Sequence, residues 1–220
     1  MSTADPPACL VDPASCLHVG DLRLRAWRPA DATALFEAVR ESLDHLGRWL
    51  PWCRADYDMD AARAWIAHCD AGWKRDEHYA FALFDADGGL LGGIGLNQRN
   101  RLHRSANLGY WVRHARIGHG TAARAARGVA LFGFEQLGLQ RIEILAMPDN
   151  HASRRSAERC GARYEGIARQ RLQHAGQACD AAVYALIPSD LLHPPSLAAG
   201  DAAGADHARL DTGAGPSPER

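Results

Sequence analysis

Apolar and polar positions alternate with a period of two through Leu22-Arg23-Leu24-Arg25-Ala26-Trp27, which predicts a first strand with one buried face. Arg28-Pro29-Ala30-Asp31 breaks that pattern and puts Asp31 at the N-cap of a helix reaching about His45, with Ala34, Leu35, Ala38, Val39 and Leu43 on one face. A second helical pattern runs from about Asp60 to Lys74. Tyr79–Phe84 reads as a strand, Asp85–Gly89 as a hairpin turn, and Leu90–Gln98 as the returning strand. Gly92, Gly93 and Gly95 lie inside that strand and open no helix, so they are not a dinucleotide-binding fingerprint. After a basic turn over 99–104, Leu108–Val112 is strand-like. From Thr121, Ala122, Ala125, Ala126, Val129, Phe132 and Gly133 recur at helical spacing, with Arg124, Arg127 and Gln136 on the other face. Arg141–Ala146 is a further strand, Ala152–Cys160 a short helix with Gly161 as its C′ residue, and 163–171 and 182–187 are two closing strands around Gly176. The order β α α β β β α β α β β predicts one α+β layer structure on a mixed sheet.

The two ends differ from this patterned stretch. Residues 1–20, with Pro6-Pro7 and Asp12-Pro13, read as a flexible arm, and 192–220, rich in Ala, Gly, Pro and Asp, as a disordered tail. A single domain over 21–191 lies between them. Met1–Gly20 holds no Lys or Arg and no continuous apolar segment, so no secretory signal is expected. No apolar run approaches the roughly 20 residues of a membrane span. The six cysteines form no C-x-x-C pair and fall at no zinc-ligand spacing with the histidines. They read as reduced thiols of a cytoplasmic protein, with no metal site and no cysteine nucleophile.

Composition is ordinary for a globular chain, 47% hydrophobic and 23% charged, with a formal net charge of −1. The charge is unevenly placed: between Arg99 and Arg171 stand 14 arginines against five acids. That excess suits a polyanionic ligand or a solvated arginine-rich surface. No helix-turn-helix, RNP or zinc pattern accompanies it, so nucleic acid is not expected as the partner.

The richest stretch is Asn107 to Ala123: an apolar strand, a turn bearing Gly118 and Gly120, then a helix start. The first N–H groups of a helix have no intrahelical partner, and glycines let an anion come close to them. The same residues also read as a plain strand-to-helix connection. Trp49 and Trp52, on either side of Pro51, could line an acceptor pocket or plug the space beneath a loop.

Taken together, these segments resemble the GNAT superfamily of acetyl-CoA-dependent N-acetyltransferases, and within it the RimJ/RimL type that acetylates N-terminal amines of ribosomal proteins. Ser42 to Trp52 is similar to that type's acceptor-side signature, Asn107 to Val112 to its fourth strand, and Ile117-Gly118-His119-Gly120-Thr121-Ala122 to the pyrophosphate loop. Asn150-His151-Ala152-Ser153, Glu158 to Gly161, Glu165-Gly166, Asp180 and Tyr184 are similar to its C-terminal run. The resemblance covers about residues 20–190. It implies a GNAT-like, mostly antiparallel central sheet with helices on both faces. It also implies acetyl-CoA as co-substrate without a metal, an amine acceptor, and a monomer or homodimer with no membrane partner. The pantetheine arm is then expected along the backbone of Trp111, Val112 and Arg113, and the pyrophosphate on Ile117, Gly118, His119, Gly120, Thr121 and Ala122. Asn150 and Ser153 are expected near the thioester, and Trp49 and Trp52 at the acceptor.

Two departures bear on the chemistry. Ile117 stands where the phosphate loop usually begins with Gln or Arg. The region that carries a base Glu in related enzymes reads Arg169-Gln170-Arg171-Leu172-Gln173-His174. Ser153 is the expected proton donor to the departing thiolate, or else a helix-end hydrogen-bonding residue. Glu143, Glu165 and His174 remain as bases, each with an alternative structural role. An α-amine titrates near ~8, well below Lys, so it needs only a weak base. The acceptor that the resemblance implies is a protein N-terminus, and the weak-base argument favours an α-amine; the alternatives are a polyamine, antibiotic or aminoacyl acceptor, or a non-catalytic acyl-CoA-binding module.

Overall fold

A computed structural model describes residues 16–192. One eight-stranded sheet, in the order β1-β2-β3-β4-β5-β6-β8-β7, forms its centre. The strands are β1 (Cys16–Val19), β2 (Leu22–Ala26), β3 (Tyr79–Phe84), β4 (Leu90–Asn100), β5 (Ser105–Val112), β6 (Arg141–Ala146), β7 (Arg163–His174) and β8 (Gln177–Leu186). Every neighbouring pair is antiparallel except β5 with β6. The helices are α1 (Ala32–Glu41), α2 (Leu43–Leu46), α3 (Met59–Lys74), α4 (Thr121–Glu135), α5 (His151–Cys160) and α6 (Pro188–Leu192).

The helices cover both faces of the sheet, as expected. On one face Leu35, Val39, Ile66 and Cys69 of α1 and α3 pack with Ala80, Ala82 and Phe84 of β3. On the other, Ala125, Ala126, Val129 and Phe132 of α4 pack with Phe81, Leu96, Leu108 and Ile142. Phe132 sits 5.3 Å from the Phe81 ring and 5.6 Å from Tyr79, edge-on in both cases. Such pairs add roughly 0.5–1.5 kcal/mol beyond area burial. The small residues at 125, 126 and 130 let α4 lie close on the sheet, which fixes where its N-terminus points.

Several sequence expectations change. Strand β1 occupies Cys16–Val19, inside the stretch read as a flexible arm. Its four residues pair antiparallel with β2 around Gly20, and Leu17 and Val19 pack against the core. Residues 1–15 and 193–220, holding the rest of the arm and nearly all of the expected tail, lie outside the described residues. Asp31 does not cap α1 with its side chain. Its carboxylate instead accepts from the Arg28 N–H at 2.8 Å and from both terminal nitrogens of Arg25, at 2.7 and 2.8 Å. Burial alone would raise the Asp31 pKa, but the arginine and backbone donors outweigh it and hold the carboxyl below its ordinary value. The final hairpin is longer than the sequence pattern suggests, because β7 is an edge strand with little apolar alternation to mark it.

One break in the sheet positions the candidate site. β5 pairs with β6 only at Ser105, Ala106 and Asn107, opposite Arg141, Ile142 and Glu143. Beyond Asn107, β5 stays with β4 while β6 stays with β8, and the two strands part.

Candidate active site

Two features meet where β5 and β6 part. The first is an open strand edge. Arg113 donates its N–H to the Leu91 carbonyl at 2.8 Å, and Trp111 lies opposite Gly93. In an antiparallel ladder these positions share one parity, so the backbone groups of Trp111 and Arg113 face β4. Those of Tyr110 and Val112 face the opening. The second is the N-terminus of α4. Gly118 and Gly120 take φ of 84° and 70°, left-handed values that favour glycine. Among the described residues no side chain caps the helix, and its first internal bond runs from Arg124 N–H to the Gly120 carbonyl. The N–H groups of Thr121 to Ala123 are left to face whatever occupies the space beyond.

That space is a cavity of about 540 Å³, within the range of ligand sites. Its walls come from four directions: His45, Trp49 and Pro51 after α1; Tyr110, Trp111 and Val112 of β5; Ile117, Gly118, Gly120, Thr121 and Ala122 at the turn; and Asn150, Ser153, Arg155 and Arg159 of α5. Leu172, Gln173 and His174 close it from the end of β7.

Most of the expected donor and acceptor residues reach this cavity, and three do not. Trp52 is 44% exposed and leans on Tyr57 and on the edge of Trp111, so it braces the wall from outside. Arg113 is turned away, ion-paired with Glu41. His119 folds back on its own turn and donates from Nδ1 to the Ile117 carbonyl at 2.8 Å. Ile117 lines the cavity with its apolar side chain, while Arg116 beside it reaches Asp85 at 3.6 Å. Asn150 caps α5, its Oδ1 accepting from the Ser153 N–H at 3.1 Å.

Ser153 has a second partner that the sequence reading missed. The Tyr110 hydroxyl donates to the Ser153 carbonyl at 2.9 Å and lies 3.3 Å from its hydroxyl. Burial pushes the Tyr110 pKa well above its ordinary value, so the phenol keeps its proton. The period-two spacing of Leu108, Tyr110 and Val112 was the available signal, since it aims all three to one face.

The acidic candidates for a base are engaged elsewhere. Glu165 accepts from Arg141 at 2.8 Å, and Glu143 accepts from the same guanidinium at 3.0 Å. Hydrogen bonding from Arg141 holds the Glu165 carboxyl below its ordinary value, and neither residue lines the cavity. His174 does line it. So does His45, which lies within the Ser42–Trp52 stretch. Its pKa is lowered by burial first, then by His114 and Arg48 nearby.

The arginine excess resolves into pairs and exceptions. Arg99 and Arg101 meet Asp76, Arg124 meets Asp21, and Arg141 meets its two glutamates. Arg155 and Arg159, one turn apart on the cavity side of α5, have no hydrogen bond or ion pair among the described residues.

Comparisons with known proteins show the family and the fold. A family model described as acetyltransferase (GNAT) domain matches residues 21–163. YdaF of Bacillus subtilis, which carries the provisional name of a ribosomal N-acetyltransferase, is 32% identical over 76% of this chain and 91% of its own. A Vibrio cholerae structure, provisionally a ribosomal-protein-serine acetyltransferase, superposes with a TM-score of 0.73 at 30% identity, covering 81% of this chain and all of that one. Mycobacterium smegmatis RimJ, solved in complex with CoA-disulfide, superposes at 0.73 with 25% identity over 82% of this chain and 89% of its own. A strand pair that splays beside an uncapped helix start, matched by a family model over most of the chain and by relatives at this identity, makes the chain a member of the GNAT acetyltransferase family and an N-acetyltransferase.

Proposed function

We propose that the chain transfers the acetyl group of acetyl-CoA to a primary amine, and that the acceptor is the N-terminal α-amine of a protein of the ribosomal type. The observation that carries the donor half is the open edge of β5 beside the uncapped start of α4. The N–H groups from Gly118 to Ala122 hold the pyrophosphate, since a helix N-terminus favours negative charge. The backbone groups of Tyr110 and Val112 hold the pantetheine arm as a neighbouring strand would. Arg155 and Arg159, cations on the cavity wall that have no partner among the described residues, suit the remaining phosphate charge.

The acceptor reading rests on the opposite wall and on the named relatives. Among the described residues no Asp or Glu lines the cavity, so nothing there gathers a polycation. That favours a single amine over a polyamine. Trp49 offers an apolar surface beside His45 for the residue that bears the amine. The ribosomal names carried by YdaF and by the Vibrio cholerae neighbour point the same way. Ser153, supported by Tyr110, supplies a proton to the departing thiolate, and a β5 N–H facing the cavity steadies the developing oxyanion.

The test is release of CoA thiol from acetyl-CoA, with mass spectrometry of the acceptor, using short peptides with a free N-terminal serine or alanine beside spermidine. Acetylated peptide is the expected product. Turnover confined to spermidine would overturn the acceptor assignment, and acetyl-CoA binding without turnover on any amine would reduce the protein to a binding module.

A further inference from the structure

The step from donor binding to chemistry needs a group that takes the proton of the attacking amine. Among the described residues, the imidazoles that line the cavity are His45 and His174; the cations there are Arg116, Arg155 and Arg159, and no carboxylate lines it. His45 sits four residues before Trp49, on the wall read above as the acceptor side. Its ring lies 5.6 Å from that of His114, centroid to centroid. His114 is not free to drift away. Its N–H donates to the buried Ser42 hydroxyl at 2.9 Å, the next N–H donates to Glu41 at 3.1 Å, and Arg113 pairs with the same carboxylate. The segment after β5 is thus fastened by its backbone to the end of α1, and it brings the His114 ring beside that of His45.

We infer that His45, on the acceptor wall of the cavity beside His114, is the general base of acetyl transfer. The inference rests on the acetyl-transfer reading above. The nitrogen lone pair of the acceptor amine bonds to the thioester carbon and the carbon–sulfur bond breaks. The proton lost by nitrogen goes to the His45 imidazole and from there to water. The thiolate takes a proton from Ser153, which solvent restores, so the products are the amide and CoA thiol. Two neighbouring imidazoles oppose sharing positive charge. The groups around His45 act consistently: burial, His114 and Arg48 all disfavour its protonation. The sign follows directly. With its pKa lowered from 6.5, His45 is neutral at pH 7, and its basic form is lost only as pH falls below that ordinary value.

The experiment uses the full chain, acetyl-CoA and a peptide with a free N-terminal serine. It follows CoA release from about pH 5 to about pH 9 in wild type, H45Q, H114Q and H174Q. H45Q should lose roughly 100-fold in kcat, the scale of one general base, and lose the acidic limb of the profile. H114Q should keep that limb but move it upward toward 6.5, a shift that a purely structural role for His45 would not produce. Acetyl-CoA affinity by calorimetry should stay within about twofold in all three variants, which also reports that they fold. An H45Q enzyme with wild-type kcat and limb overturns the inference, as does an H174Q enzyme that alone loses the limb. A wild-type protein that binds acetyl-CoA and acetylates no amine overturns the functional reading itself and takes this assignment with it.

Discussion

At Gly118–Ala122 the cavity wall is main chain, and at His45–Trp49, with Leu172–His174 closing the cavity from β7, it is side chain. The first wall comes from one contiguous segment whose glycines take left-handed φ and whose helix start leaves N–H groups unpaired. Side-chain identity matters little there, which is why Ile117 in place of a polar residue is compatible with a phosphate site. The second wall joins segments more than a hundred residues apart, and each contributes through its side chains. Donor recognition is therefore expected to tolerate substitution that keeps the backbone open, and acceptor recognition to depend on individual groups.

The sharpest way to break this contrast is to block the main-chain wall. Gly120→Val should reduce acetyl-CoA affinity at least about 100-fold, because several charge-assisted bonds of roughly 1.5–3 kcal/mol each depend on close approach. Gly120→Asn tolerates left-handed φ far better and should fold normally while still weakening acetyl-CoA in calorimetry. If both variants bind like wild type, the phosphate site is elsewhere.

Smaller effects come from the side-chain wall. Ser153→Ala should lower kcat by roughly 10- to 100-fold without changing acetyl-CoA affinity, read from thiol-release kinetics. Trp49→Ala should raise KM for the peptide acceptor by about 10-fold with the donor constant unchanged; a matched loss of donor affinity would show that the two walls are not separable. Asn150→Ala should be the mildest, costing about 1 kcal/mol of stability in denaturant unfolding through loss of the α5 cap. A much larger fall in donor affinity would give Asn150 a role in binding beyond the cap.

Much of the fold was legible because its signals are local. The alternation at Leu22–Trp27, the glycine turn before Thr121 and the Asn150–Gly161 helix with its two ends each report on residues within one turn of one another. β1 was missed because it is four residues long and adjoins a proline-bearing stretch. The length of the β7–β8 hairpin was missed because an exposed edge strand has no buried face to impose alternation. Among site residues, Trp52 illustrates the limit: a tryptophan beside a proline signals packing, but only the placement of Trp111 decides that it packs outside the cavity and not within it.

By itself the sequence determined most of the α+β order, the glycine turn and the helix start that follows it, and hence the family to which the chain belongs. Tertiary structure alone decided that β5 and β6 part after Asn107, that Tyr110 meets Ser153, that Arg141 occupies both glutamates, and that His45 sits beside His114. The physical reason is the range of the interactions. Backbone conformation and helix termini are set by neighbours in the chain, whereas a proton's destination depends on burial and on charges brought together across it.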